Sequence, residues 1–333
     1  MTNISVFGLG YVGIVSASCL AEMGYSIIGV DINQKKVEMM NKGRSPIVEK
    51  GLPELLKKHK DSGRLSATTD AKSAILNSDL SIVCVGTPSM KNGAVDLSFI
   101  RNVCKEIGLA IQSKSDYHVI CIRSTLPSGS TRNILLPIIE EYSCKKAGVD
   151  FGICFNPEFL REKSANEDFI NSEIIIFGGL DDNCKKLSYF YKNYTNCKCK
   201  EHTITDGISA SLIKYTINSF LALKVTFFNE IKFVFDSSNS EDDWLNFISA
   251  LSKDKRIGDS HMNVPGPDGR YGFGGPCFPK DVSALIEYSK EIGNELSLLN
   301  KANSINNNIR AEYNELSARE IEQNIKYKTD KEE

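Results

Sequence analysis

Two short stretches of this 333-residue chain hold residue types whose spacing could do chemistry. The first is Gly8-Leu9-Gly10-Tyr11-Val12-Gly13. It follows the strand-like ISVFG and opens a segment of helical periodicity, and Asp31 lies eighteen residues beyond Gly13 at the end of the next apolar run, SIIGVD. Glycines so placed let the backbone turn tightly and approach a pyrophosphate, while the helix N-terminus offers N–H groups and a positive dipole end. The acid can accept hydrogen bonds from ribose hydroxyls, so the combination is a dinucleotide-binding fingerprint. A 2′-phosphate would be repelled by Asp31, which favours NAD over NADP, although Lys35 and Lys36 nearby weaken that preference. A tight structural turn in another α/β domain is the alternative.

The second stretch is Gly274-Gly275-Pro276-Cys277-Phe278-Pro279-Lys280-Asp281. Flanking glycines free the backbone around the sulfur, and the charge of Lys280 favours the thiolate, which is the nucleophilic form. Asp281 could hold a water or a proton. The plain alternative is a buried thiol in a glycine-rich loop. A third pair, Lys214 and Asn218, is spaced i,i+4 and so shares one helix face among apolar neighbours. Lys214 there either snorkels to the surface or is placed to stabilise an oxyanion.

The elements that must carry these residues follow from hydrophobic periodicity. Residues 4–8, 26–31, 81–86, 117–122, 151–155 and 173–179 read as strands separated by helical segments, which predicts a parallel sheet with crossover helices. A helix is expected from about 14 to 23, stopped at Gly24, and another from about Asn33. The texture changes near residue 205: residues 206–236 are helical in period with no Gly or Pro after Gly207, and 242–252 form a further helix. A Gly/Pro-rich loop over 256–281 precedes a long helix from about Val282 towards 325. The expected fold is α/β: a Rossmann-type doubly wound sheet over 1–203, followed by an all-helical central and dimerisation domain over 204–333.

Composition narrows the function classes. Charged residues make up 25% and the net charge is −2, so nothing favours nucleic acid or a membrane surface as partner. No apolar run is long enough to span a bilayer, and Met1 leads straight into a strand, so a cytoplasmic protein is expected. The ten cysteines show no zinc-like spacing and read as reduced thiols, Cys19, Cys84, Cys121 and Cys154 as small core residues, so no metal is expected.

Several motifs in order carry a resemblance: GLGYVG at 8–13, VGTP at 85–88, RSTLPSG at 123–129, NPEFLRE at 156–162, IKYTINSFLALKVTFFNE at 213–230, RIG at 256–258 and GFGGPCFPKD at 272–281. The chain resembles the nucleotide-sugar dehydrogenases, in particular their UDP-glucose 6-dehydrogenase branch. That resemblance implies NAD-dependent oxidation of a sugar C6 alcohol to the carboxylate, UDP-glucose to UDP-glucuronate, for polysaccharide biosynthesis, with Cys277 as covalent nucleophile. GDP-mannose or UDP-galactose as substrate, or a two-electron hydroxyacid-type oxidation, are the alternatives. The resemblance assigns NAD to Gly8, Gly10, Tyr11, Val12, Gly13, Asp31, Lys36, Thr87, Thr125, Glu162 and Lys280. It assigns catalysis to Cys277, Lys214, Asp281, Glu158, Thr125 and Asn218. Glu158, Phe159, Leu160, Arg161, Lys214, Asn218, Arg256, Tyr271, Phe273 and Gly274 would contact the nucleotide sugar, and Arg256 would reach the partner's site in a homodimer. The family's third domain, which binds UDP, is not expected within these 333 residues; the VPGPDGR insertion, with Arg270, would then cover part of the nucleotide.

Overall fold

The computed structural model describes residues 3–313 and 315–328. The chain divides into two units, Met1–Thr87 with Leu97–Lys214 and Pro88–Asp96 with Tyr215–Glu333. The first unit runs β1 (Asn3–Phe7), α1 (Tyr11–Glu22), β2 (Ser26–Val30), α2 (Gln34–Asn41), α3 (Leu52–Asp61), β3 (Leu65–Thr68), α4 (Ala71–Leu76) and β4 (Leu80–Val83). It continues through α5 (Ser98–Gln112), β5 (His118–Ile122), a π-helical turn over Thr131–Leu135, α6 (Leu136–Ser143) and β6 (Phe151–Phe155). It ends with α7 (Ala165–Ile170), β7 (Ile176–Gly179), α8 (Asp181–Tyr194), β8 (Thr203–Thr205) and the start of α9 (Gly207–Ser237).

The eight strands form one sheet in the order β3-β2-β1-β4-β5-β6-β7-β8. The order reverses direction between β1 and β4, which is where doubly wound folds bind their ligands. Strand alternation feeds two apolar layers. Ile4 and Val6 of β1 join Ile14 and Val15 of α1 and Leu52 and Leu56 of α3 on one face. Phe7 joins Ile100, Cys104 and Ile107 of α5 on the other. In α5 the buried positions recur at helical spacing, which is why that segment folds as a helix against the sheet. Asn33 and Asp70 cap α2 and α4 through their side chains.

The sheet departs from the all-parallel expectation at one place: β7 pairs with β6 antiparallel. The connection between them, residues 156–175, contains the six-residue α7. By contrast α8, with 14 residues, makes a full crossover and β8 pairs with β7 parallel.

The second unit contains the rest of α9, then α10 (Trp244–Ser252), α11 (Phe278–Glu291), α12 (Ser297–Arg310) and α13 (Ala318–Glu322). Phe228, Trp244, Ile248, Met262 and Val264 form one apolar cluster, and Ala222, Phe273, Val282 and Ile286 a second. The single long helix expected from Val282 towards 325 is instead three. Gly293 takes the left-handed conformation, φ 77°, and ends α11. After Arg310 the chain turns again before Ser317 starts α13 with a reciprocal capping box to Glu320. No helix among the described residues is long and apolar enough to cross a membrane.

Candidate active site

The glycine loop sits between β1 and α1 in the first unit. Gly8 has φ 89°, and a Cβ there would come within 2.9 Å of the Cys84 carbonyl. A Cβ on Gly13 would lie 1.8 Å from the Gly8 carbonyl oxygen, so neither position admits a side chain. A Cβ on Gly10 would meet nothing within 4 Å. Gly10 is the N-cap of α1, makes no side-chain cap, and is followed by no acid in the first turn. Open space in front of uncapped N–H groups at a positive helix end fits a pyrophosphate. Leu9 N–H donates to Asp31 Oδ2 at 2.7 Å, Asn33 N–H donates to Oδ1 at 2.8 Å, and the Lys36 ammonium stands 3.8 Å away. The carboxylate is therefore fixed in place at the end of β2, where it can accept from ribose hydroxyls. These residues fit a bound NAD. Thr87 donates to the Thr125 carbonyl at 2.9 Å, holding the turns after β4 and β5 together.

The side chain of Tyr11 serves a different purpose from its backbone. Its hydroxyl donates to Glu49, whose carboxylate also accepts from the N–H groups of Lys163 and Ala165. Burial, then the neighbouring Glu49 carboxylate, pushes the phenol above its usual range. Tyr11 thereby ties the start of α1 to the loop over 156–164. Val12 is half-buried beside it.

That loop carries the first catalytic candidates. Glu158 is buried, and its Oε2 accepts from Leu160 N–H at 2.7 Å. Lys214, 4% exposed, donates to the Glu158 carbonyl and lies 3.4 Å from its Oε1. It does not snorkel: the ammonium also stands over the Phe159 ring at 4.9 Å. Arg161 and Glu162 are exposed, Arg161 bridging to Asp168 at 2.7 Å, and Leu160 is half-buried. Behind Glu158, buried Arg123 donates to Asn156 and Tyr191 at 3.1 Å.

In the second unit Cys277 is the N-cap of α11 and half-buried. A sulfur there stands at the positive end of a 14-residue helix, a place that stabilises an anion. One turn on, Asp281 is 1% exposed; its Oδ1 accepts from Lys280 and its Oδ2 from Asn218, each at 2.6 Å. Lys280 thus meets Asp281 directly, alongside the cofactor role the resemblance gives it. Burial pushes the thiols of Cys84, Cys104 and Cys121 in the first unit up to about 12. Among the described residues no disulfide forms.

The loop leading to Cys277 is held from several sides. Gly272 N–H donates to Asn229 at 2.9 Å and Phe273 N–H to Asn306 at 2.6 Å. Arg310, buried, donates to the Gly272 carbonyl and to Asp268, both at 2.6 Å, and its guanidinium fills the space a Cβ on Gly274 would need. Tyr271 stacks on Phe233, with ring centroids 5.7 Å apart, and donates its N–H to the Tyr313 hydroxyl. Arg270 donates to the Glu315 carbonyl and lies over the Tyr313 ring, so VPGPDGR is fastened to its own unit. Arg256 is exposed and pairs with Asp254 at 2.6 Å. Sequence reading missed Asn229, Asn306, Arg310 and Glu320; of these only Glu320 carried a local signal, the Ser317-x-x-Glu320 capping pattern.

Comparison with known proteins decides the family. Residues 2–195 match the family model "UDP-glucose/GDP-mannose dehydrogenase family, NAD binding domain", and residues 208–308 match that family's central domain. The chain belongs to the UDP-glucose/GDP-mannose dehydrogenase family. A GDP-mannose 6-dehydrogenase of Pseudomonas aeruginosa is 42% identical over 92% of this chain and 68% of its own length. A UDP-glucose 6-dehydrogenase of Haloferax volcanii is 34% identical over 91% of this chain and 69% of its own. The structure of a UDP-glucose dehydrogenase from Pyrobaculum islandicum superposes with a TM-score of 0.83 at 34% identity, covering 92% of this chain and 68% of that one. The chain spans about two thirds of the length of the relatives it matches. As a member of the UDP-glucose/GDP-mannose dehydrogenase family it is an NAD-dependent oxidoreductase, with NAD the cofactor of its first unit.

Proposed function

We propose that the protein oxidises the C6 primary alcohol of a nucleoside-diphosphate hexose to the carboxylate, consuming two NAD and one water per sugar. The observation that carries this reading is Cys277 at the N-terminus of α11, one turn from a buried carboxylate held by Lys280 and Asn218. When bound, NAD accepts the hydride in each oxidation. The first oxidation yields an aldehyde, and the Cys277 thiolate adds to its carbon to give a thiohemiacetal. Loss of a second hydride leaves a thioester, which water cleaves to the carboxylate and the thiol. Holding the aldehyde covalently keeps it from escaping between the two oxidations.

The other side chains divide the remaining work. The buried Lys214 ammonium stabilises the oxygen anion that develops at the reacting carbon. Glu158 and Asp281, both buried, accept and return protons in the hydrolysis, with Thr125 beside Glu158 in that task. Asn218 fixes the orientation of Asp281. Phe159, Leu160 and Arg161, with Arg256, Tyr271, Phe273 and Gly274, contact the sugar nucleotide. Glu162, Lys36 and Val12 act on the cofactor side.

UDP-glucose is the substrate that the CFPKD motif suggests, whereas the relatives at 42% identity are named for GDP-mannose and the one at 34% for UDP-glucose. GDP-mannose therefore stands first in a substrate panel, ahead of UDP-glucose and UDP-galactose. The test is NADH formation across that panel, and silence on every sugar nucleotide would end the proposal. The reading also takes the protein as a homodimer through α9, which leaves Phe220, Phe227 and Val234 more than half exposed.

A further inference from the structure

The matched central domain ends at residue 308, yet the chain beyond it is built into the cysteine loop. Ser317 and Glu320 close a capping box that starts α13: Ser317 N–H donates to Glu320 Oε2 at 2.8 Å, and Glu320 N–H donates to Ser317 Oγ at 3.2 Å. The second carboxylate oxygen faces away from the helix. Glu320 Oε1 accepts the Gly275 N–H at 3.1 Å and the Tyr327 hydroxyl at 2.7 Å. The residue is 3% exposed. A carboxylate this buried is retained only where hydrogen bonds compensate its lost hydration. Burial raises its pKa, but the bonds from Tyr327, Ser317 and Gly275 outweigh that and hold it below the ordinary carboxylate range.

Gly275 stands two residues before Cys277 and has φ 78°, a conformation that glycine adopts without external support and can therefore also leave. The next support upstream is on Phe273, from Asn306. Between Phe273 and Cys277 the Glu320 carboxylate holds the backbone at the Gly275 N–H. Farther along the same segment, Gln323 accepts the Ser89 N–H and the Lys328 ammonium donates to the Lys91 carbonyl, so the strap is anchored past Glu320 as well as before it.

We propose that Glu320 is a positioning residue for the reaction, fixing the Cys277 sulfur at the N-terminus of α11 through the Gly275 N–H. The inference rests on the reading of Cys277 as nucleophile, and its test separates the two. Ser317→Ala removes half of the capping box and leaves the Glu320–Gly275 bond. Glu320→Ala removes both. Glu320→Asp keeps the charge but, one methylene shorter, cannot span Ser317 and Gly275 together, and it serves if the alanine variant does not fold.

Each full-length variant is treated with iodoacetamide, without sugar nucleotide, and Cys277 modification is followed by peptide mass spectrometry against exposed Cys144 as internal reference. Steady-state kcat and the KM for NAD are measured alongside. Glu320→Ala, or Glu320→Asp in its place, lowers kcat about ten-fold with the KM for NAD unchanged, because small misplacements of a reacting group cost that much or more. It also slows Cys277 alkylation relative to Cys144 at least about three-fold, while Ser317→Ala stays within about two-fold of the parent in both readouts. Equal losses in Ser317→Ala and the Glu320 variants would reduce Glu320 to a helix cap and overturn the proposal. So would parent-like alkylation and kcat in a folded Glu320 variant. If Cys277→Ser kept full turnover, the nucleophile reading would fail, while the dependence of alkylation on Glu320 would be judged on its own result.

Discussion

At the scale of single residues, the buried Asp281 carboxylate and the Cys277 thiol differ in what a substitution does to them. Asp281 is hydrogen-bonded to Lys280 and Asn218 with almost no exposure. Asp281→Ala leaves a buried ammonium without its counter-charge, and breaking a buried pair this way costs about 3–5 kcal/mol. Urea denaturation should show that loss, together with loss of NADH formation. Cys277→Ser makes no such demand: it should keep the parent's stability and NAD affinity and lose at least roughly 10³-fold in uronate formation, read by fluorescence titration with NADH and by product analysis. The types of these residues were visible in the sequence because glycines, one cysteine and a Lys-Asp pair stand close together in the chain. Whether Lys214 snorkels was not visible, since that depends on Glu158, 56 positions away.

At the scale of elements, the glycine loop and the centre of the sheet make separate predictions. Gly13→Ala would drive a methyl into the Gly8 carbonyl at 1.8 Å; the expected outcome is loss of NADH binding by titration, since the loop must move to relieve the contact. At the other end of the strands, His118 is buried between Ser81 Oγ at 2.7 Å and the Ser78 carbonyl. Burial, then the nearby Lys114 charge, lowers its pKa to about 3. Below about pH 6.5 the unfolded chain binds a proton there that the folded chain refuses, so folding stability is lost as the pH falls from about 6.5 towards 3, by up to about 1.4 kcal/mol per pH unit. His118→Gln should flatten that slope when denaturation midpoints are compared at pH 7, 6 and 5. Strand and helix periodicity made most of the first unit legible. The run after Val282 was harder, because its helical pattern continues on both sides of Gly293 and only the left-handed backbone there divides it. The antiparallel β7 was hidden for a related reason: its apolar run reads the same in either direction.

At the scale of the whole molecule, the apolar side chains along α9 predict self-association. Sedimentation equilibrium should give a dimer, and Phe227→Asp, on an exposed position, should shift it towards monomer without lowering the unfolding temperature of the isolated chain. Contacts of the C-terminal segment with the cysteine loop join residues 45 apart, which no local pattern announces. The account as a whole stands on the chemistry assigned to Cys277, and the measurement that reaches it most directly is a count of electrons. With GDP-mannose or UDP-glucose limiting and NAD in excess, the reaction run to completion should yield two NADH and one uronate per sugar nucleotide, with no aldehyde captured by an added hydrazine. One NADH per sugar, with the aldehyde accumulating, would contradict it.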